Sequence, residues 1–511
     1  MSKQQITALQ QLADNFRVIG KVQYEQNANG EEKITENGFA DFNDKAKPMN
    51  SQTISGIGSI TKQFTAATLI KLWDEDLTKN KNSDKNFGAE IFPEGIDTKL
   101  AKFMPDLENK FTQCAELFTK IKADEHYADI TLRDLLNHTH GLGGRNEQKG
   151  VELVKNTGDR PLELFEIANI TEKNTTNPRR GLDEHGKHKY SNFGFDLAAM
   201  IIEAITQKPF DQVVRDKVLT PNGLFLTHPQ SDHVELYKAN SNLARGYFLD
   251  SALHPSCLSA DRLNEAGEVI LENSVELNFN TKSNTRAAGG FKSSVGDLAK
   301  FAKAYMGGEM FENAEAKNTV TNYQQGANMP KLNEKGEEVA GKNFYHLAIK
   351  LTPNGNVGHA GDDLDFVSDL RFNPKTNEIK AELLVVENLT THVCSRVFGA
   401  TNAEDQKSLE NLRNSFFERL RESDYPKVGS PENDKIMSDV LNDKSNAKGV
   451  EALNKYSNLL EEIQVIEPQN LVQNREEIIS NLIAQRQQKP STTVSGALAN
   501  KLENNQEIFK S

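Results

Sequence analysis

Cysteine is scarce in this chain, with three residues among 511: Cys114, Cys257 and Cys394. They are far apart and odd in number, so neither a disulfide framework nor a zinc-binding spacing can be read. Small buried hydrophobes are the expectation for them. Basic residues are outnumbered, 60 Lys and Arg against 73 Asp and Glu, for a formal net charge of −13. No basic stripe overrides that balance, so nucleic acid is not an expected partner. The first residues, Met1 to Ile6, show no basic stretch followed by an apolar run. A standard secretory signal is therefore not expected, which points to a cytoplasmic protein or one exported by another route. No apolar stretch approaches a bilayer span, and no internal repeat is visible.

What is present is ordinary globular material, 37% hydrophobic and 26% charged. The length suits one large domain plus an appendage, or two to three modest domains. Ile6, Leu9, Leu12, Ala13 and Phe16 recur at helical spacing over residues 3–19. Strand-like runs over 16–24 and 33–42 flank the polar turn Asn27-Ala28-Asn29-Gly30. Residues 59–75 are apolar on nearly every face, which predicts a central buried helix. The Lys/Asn-rich segment 79–96 suggests a surface insertion. A mainly helical stretch then runs to about 310 and contains the capping-box pattern Thr131-Leu132-Arg133-Asp134. Strand patterns return over 344–351, 366–372 and 379–387.

This order predicts an α+β fold. One antiparallel sheet, flanked by helices, is assembled from both ends of the chain, and an all-helical lobe of roughly 76–285 is inserted. Strand signals stop near residue 400. Leu409, Leu412, Phe416 and Leu420 mark a helix, and Pro426, Gly429 and Pro431 then punctuate the chain. The expected division is a main domain over 1–423 and a helical C-terminal extension over 424–511, the latter striped by Leu459, Leu460, Ile463, Ile478, Ile479, Leu482 and Ile483.

Three constellations could carry chemistry. Gly56-Ile57-Gly58-Ser59-Ile60-Thr61-Lys62 sits where a turn feeds the buried helix. A serine there is near unpaired backbone N–H groups able to hold an oxyanion. Lys62 lies one turn up the same face. Burial should lower its pKa and favour a neutral, proton-accepting amine. Thr61 stands where a G-x-S-x-G elbow needs its second glycine, so the turn is not such an elbow. Next, Tyr190-Ser191-Asn192 precedes a helix pattern over 195–205, placing a proton-shuttling phenol and a carbonyl-orienting amide two residues apart. Last, Gly358-His359-Ala360-Gly361 would let substrate backbone lie along an edge strand, with the N–H of Asp362 joining that of Ser59 in an oxyanion hole. Each alone has a plainer explanation: an N-cap serine with a snorkelling lysine, an N-cap serine beside a buried tyrosine, and a hairpin glycine turn. A fourth cluster, Asp183-Glu184-His185-Gly186-Lys187-His188, has metal-ligand residue types. Its competing lysine and polar surroundings favour a solvated loop at the cleft rim.

Taken together and in this order, S-x-x-K, Y-x-N and H-x-G resemble the serine β-lactamase and penicillin-binding-protein family. The resemblance is strongest to its class C branch, with D-aminopeptidases and related esterases. It extends to Ile57–Ala66, Ile130–Leu142, Arg245-Gly246-Tyr247 and Ala288-Gly289-Gly290-Phe291 with Asp297-Leu298, and covers about residues 10–421. It implies a crevice between a sheet-containing lobe and a helical lobe. It also implies Ser59 as the acylated nucleophile, Lys62 and Tyr190 sharing the base role, and Asn192 on the substrate amide. His359 takes the place of the usual K-T-G lysine, with Gly361 and Asp362 lining the substrate strand. No cofactor or metal is called for, and the implied partner is a small-molecule or peptide substrate.

Two departures stand out. His140 replaces the serine common after His138-Thr139. Asp362, Asp363 and Asp365 occupy positions where relatives carry small residues, and carboxylates there would repel anionic β-lactams. The competing expectation is a non-catalytic binding protein or exported effector reusing the fold, with 424–511 engaging a protein partner.

Overall fold

The computed structural model describes residues 17–41, 47–82, 90–145, 162–172, 185–238, 242–245, 261–263, 269–271, 286–328, 331–332, 338–339, 344–352, 355–363, 366–387 and 431–454, with single positions at 9 and between 408 and 419. By internal contacts these fall into two units, and the larger is Val18–Tyr247 with His254–Val386.

The strands used below are β1 (Arg17–Gln26), β2 (Glu32–Gly38), β3 (Ser55–Gly56), β4 (Lys292–Ser293), β5 (Ala327–Asn328), β6 (Phe344–His346), β7 (Ile349–Leu351), β8 (Val357–Asp363), β9 (Phe366–Phe372) and β10 (Ile379–Glu387). Eight of them form one sheet in the order β2-β1-β10-β9-β8-β7-β6-β5, while β3 pairs with β4 apart from it. The N-terminal hairpin therefore docks on β10, the last strand among the described residues, and the sheet closes from both ends as expected. The hairpin turns at Asn27, whose Oδ1 accepts from the N–H groups of Asn29 and Glu31. An Asx-type turn of this kind is what asparagine offers at such a point. Because β1 begins at Arg17, the N-terminal helix does not reach residue 19. Leu9 is helical and buried; the rest of that segment lies outside the described residues.

The helices used below are α1 (Thr61–Asn82), α2 (Leu100–Lys110), α3 (Leu132–Asn137), α4 (Phe193–Thr206), α5 (Phe210–Val214), α6 (Arg286–Gly289), α7 (Val295–Phe301) and α8 (Pro431–Asn442). Helix α1 buries Phe64, Ala66, Ala67, Leu69, Ile70 and Trp73, and also Lys62, Gln63, Thr65 and Thr68. Every residue from Thr61 to Ile70 is buried, and a stretch without a solvent face must be covered all round; α4 and α6 pack against the helix. Thr65 Oγ1 spends its proton on the Ala287 carbonyl at 2.6 Å. Helix α3 opens with the capping box Thr131–Asp134 read in the sequence. Helix α4 buries eleven residues, Phe193 to Ile202 and Ala204.

Two expectations need correction. Segment 79–96 is not simply a surface insertion, because α1 continues to Asn82 and Phe92 and Ile96 are buried. The strand read over 344–351 is a hairpin, β6 and β7, turned by Leu347-Ala348. Both turn residues have left-handed φ, 49° and 64°. Neither is a residue type that signals a turn, so a continuous strand was the natural expectation.

The smaller unit is Met1–Arg17, Phe248–Leu253 and Glu387–Ser511. Among its described residues, Leu409, Leu412, Phe416, Ile436, Met437, Val440, Leu441, Ala452 and Leu453 are buried, and Arg419 pairs with Asp443 at 2.6 Å. The stripes at 459–463 and 478–483, and Leu420, lie outside the described residues. No helix among the described residues is long and apolar enough to cross a membrane.

Candidate active site

Ser59 sits in one 3-10 turn, Gly58–Ile60, that runs directly into α1. Gly58 has φ +45°, and a Cβ on it would lie 2.8 Å from the Asp362 backbone nitrogen. A Cβ on Gly361 would lie 2.0 Å from the Ile57 carbonyl oxygen. Both glycines are thus required by close approach of strand β8 to the serine turn. Ser368 Oγ on β9 pins the same turn by donating to the Ile57 carbonyl at 2.8 Å. Strand β8 pairs with β9 along its length, from Val357↔Phe372 to Asp363↔Phe366. Its pairing with β7 covers only Leu351↔Val357 and Lys350↔Gly358. Beyond Gly358 the second edge of β8 therefore runs past Ser59.

Lys62 Nζ is 3.1 Å from Ser59 Oγ and donates to the Ala288 carbonyl at 2.7 Å. The phenol of Tyr190 donates to Ser59 Oγ at 2.8 Å, and Lys62 Nζ sits 4.8 Å from the centre of the Tyr190 ring. The lysine is fully buried and Ser59 is half-buried. The carbonyl that holds Lys62 belongs to a firmly tied segment. Arg286, at the start of α6, is forked on Asp211 of α5 with NH2 to Oδ2 at 3.1 Å, and Phe291 accepts from Ile57 N and donates to Thr61 Oγ1, both at 3.1 Å.

Asn192 is the N-cap residue of α4, and its side chain makes no capping bond. It is half-buried, beside the Tyr190 that faces Ser59. Asp362 is exposed. Asp365, and the side chain of Asp363, lie outside the described residues.

His359 is buried, and both its ring nitrogens are occupied: Nδ1 is 2.6 Å from the Ala360 carbonyl and Nε2 is 2.9 Å from the Tyr345 phenol. Burial, reinforced by Lys62, pushes its pKa down to about 3. It is therefore a neutral imidazole where the resemblance puts a cation.

Behind Tyr190 lies a wall that sequence reasoning did not foresee. His138, Tyr345 and His188 pack together, with His138 4.2 Å from the Tyr190 ring, 4.7 Å from Tyr345 and 5.6 Å from His188. His138 Nδ1 accepts from the Ser191 N–H at 3.1 Å, which fixes the Y-x-N segment. Burial lowers the pKa of His138 well below the ordinary value and that of His188 to about 4. So His188 is not part of a solvated rim. His185 does lie near the surface, with Nε2 3.4 Å from Asp134. Among the described residues no group of three or more His, Cys, Asp or Glu is placed to hold a metal ion. His140 is buried against Phe193 and Gly194, a packing role. Cys114 is buried with its thiol pKa pushed up to about 11. The one sequence signal for Tyr345 was an aromatic in the strand pattern just before Gly358–Gly361.

The family model described as Beta-lactamase matches residues 18–395, well over half of the chain. The chain belongs to the Beta-lactamase family. An unguisins hydrolase of Aspergillus campestris is 26% identical over 202 residues, 39% of this chain and 32% of that protein. The chain thus spans about a third of the length of that curated relative. Among solved structures, the octameric penicillin-binding protein homologue of Pyrococcus abyssi is 20% identical, covering 80% of this chain and 81% of the other, with a TM-score of 0.50. D-amino acid amidase from Ochrobactrum anthropi SV3, complexed with D-phenylalanine, is 20% identical over 74% of this chain and 90% of the other, with a TM-score of 0.48. The likeness to the Pyrococcus abyssi protein is one of fold, and the Beta-lactamase family assignment rests on the family match.

Proposed function

We propose that the protein is a serine hydrolase of the class C β-lactamase-related type, cleaving an ester or amide through an acyl-enzyme on Ser59. The observation that carries this is the convergence of two proton-handling groups on one hydroxyl, Lys62 at 3.1 Å and Tyr190 at 2.8 Å. A neutral amine that donates to the Ala288 carbonyl keeps its lone pair for the Ser59 proton. Ser59 Oγ then bonds to the substrate carbonyl carbon, and the carbonyl π electrons move to oxygen. The N–H groups of Ser59 and Asp362 would receive that oxyanion. Collapse expels the leaving group, which takes a proton through Tyr190, and water repeats the sequence on the acyl-enzyme. Asn192, whose side chain makes no capping bond, would hold the substrate amide.

The substrate class follows from charge. His359 brings no cation to strand β8, and exposed Asp362 brings an anion. Neutral esters, or amides of cationic amino-terminal D-residues, fit better than anionic β-lactams. In this reading residues 1–423 carry the chemistry, and 424–511 are an extension available to a protein partner.

The test is intact mass spectrometry with a fluorophosphonate and with a penicillin, on the parent and on Ser59→Ala, followed by kcat/KM for a neutral ester, a cationic aminoacyl amide and a cephalosporin. One fluorophosphonate adduct, absent in Ser59→Ala, is expected, with the cephalosporin the poorest substrate. An adduct that persists in Ser59→Ala would refute the nucleophile. A cephalosporin ranked first would refute the charge argument alone.

A further inference from the structure

Tyr345 stands two residues before the Leu347–Ala348 turn, whose left-handed φ values of 49° and 64° strain any L side chain by roughly 1–2 kcal/mol per residue. Such strain persists only where the surroundings over-determine it. Here they do. Leu347 N donates to Asn137 Oδ1 at 2.6 Å, Tyr305 donates to the Leu347 carbonyl at 2.6 Å, and Ala348 N donates to the Leu136 carbonyl at 3.2 Å. The clamped turn delivers the buried Tyr345 phenol to within 2.9 Å of His359 Nε2. The other ring nitrogen, Nδ1, lies 2.6 Å from the Ala360 carbonyl. A carbonyl only accepts, so Nδ1 carries the proton, Nε2 holds the lone pair, and Tyr345 is the donor.

We propose that Tyr345 is a positioning residue: by donating to His359 Nε2 it locks the imidazole in one tautomer with both nitrogens filled, and the locked pair backs the Tyr190 ring so that its phenol stays aimed at Ser59. The rings of His359 and Tyr345 lie 6.4 and 6.3 Å from that of Tyr190. The charged and titratable groups facing His359 are Lys62 on α1, Lys350 on β7 and Arg371 on β9, together with Tyr190, Tyr345 and His138. Burial, reinforced by the charges of Lys350 and Arg371, holds the ring neutral, so its contribution is geometric, as for a residue that orients a catalytic group from behind. The idea rests on the serine-hydrolase reading only for its kinetic arm.

Two measurements test it. Long-range proton–nitrogen NMR on the parent protein should show His359 as the Nδ1–H tautomer, without titration between pH 5 and 9; an Nε2–H tautomer or a midpoint in that range overturns the proposal. In hydrolysis of p-nitrophenyl butyrate, Tyr345→Phe and His359→Asn should each lower kcat roughly tenfold, the loss of one positioned interaction of about 1.4 kcal/mol, with KM within about twofold. The double variant should lose little more, because both single changes break one unit. Tyr345→Phe should also gain an acid limb, because an imidazole relieved of its donor takes up a proton at higher pH. Unchanged kcat, or losses that multiply in the double variant, overturn the proposal. If one variant does not fold, the other carries the kcat-against-KM comparison. A parent that fails to label with fluorophosphonate removes the hydrolase reading, while the NMR result still decides the tautomer.

Discussion

Two groups of polar side chains meet at Tyr190, and they are wired differently. On one side Ser59, Lys62 and Tyr190 share a single oxygen, with Lys62 Nζ at 3.1 Å and the Tyr190 phenol at 2.8 Å from it. On the other, His138, His188, Tyr345 and His359 are as rich in titratable atoms, but several of these are committed elsewhere: Ser191 N–H donates to His138 Nδ1, His359 Nδ1–H to the Ala360 carbonyl, and the Tyr345 phenol to His359 Nε2. Burial alone does not make a group reactive. What separates the two clusters, in the proposed reading, is whether a side chain's polar atom is aimed at the Ser59 hydroxyl or held by its own scaffold.

The largest expected effect tests the reactive side. Lys62→Ala and Tyr190→Phe should each reduce turnover by on the order of a hundredfold or more, as removal of a positioned acid or base does. Far-ultraviolet circular dichroism should be unchanged. If Tyr190→Phe turns over several esters as fast as the parent, the phenol belongs with the silent cluster and the division drawn above is misplaced.

The silent side should show itself in stability. The pKa of His188 is depressed from 6.5 to about 4 in the folded protein. As pH falls, the unfolded chain therefore takes up this proton first, so stability is full above about 6.5 and is lost progressively down to about 4. Linkage puts the loss at about 2 kcal/mol between pH 7 and 5 from this residue. The lowered carboxyls of Asp74 and Asp134 remain ionised over that window and do not confuse it. Urea midpoints at pH 7 and 5 should diverge strongly in the parent and less in His188→Phe. Parallel losses in the two proteins would mean that His188 is not held neutral by the fold.

Much of this was legible in the sequence, for identifiable reasons. The capping box Thr131–Asp134 and the strands Phe366–Phe372 and Ile379–Glu387 are local patterns, and they appear where the residues place them. Lys62 three residues after Ser59 on a buried helix forces their contact. What was not legible depends on long-range packing. Tyr345 on β6 and His359 on β8 are brought together across the intervening β7, and His188 is drawn inward by the loop before Tyr190. The acidic run at 362–365 illustrates the limit from the other direction: Asp362 is exposed, as acidic side chains usually are, so in the proposed reading its charge reaches the cleft through solvent.

The smallest expected effect probes the strained turn that joins the two clusters' supports. Ala348 has φ 64° and is fully buried. Replacing it by glycine relieves a left-handed alanine, a gain of roughly 1 kcal/mol. It also removes one buried methyl, a loss of about 0.8 kcal/mol. The two nearly cancel, so Ala348→Gly should leave the urea midpoint within about 1 kcal/mol of the parent. Leu347 offers no such balance: it is also fully buried at φ 49°, and truncating it removes a whole core side chain, worth about 2–5 kcal/mol. The contrast between Ala348→Gly and Leu347→Gly separates strain from packing. If Ala348→Gly costs more than about 2 kcal/mol, the methyl is part of what fixes Tyr345, and the turn is held by side-chain packing rather than by the backbone clamps of Asn137 and Tyr305.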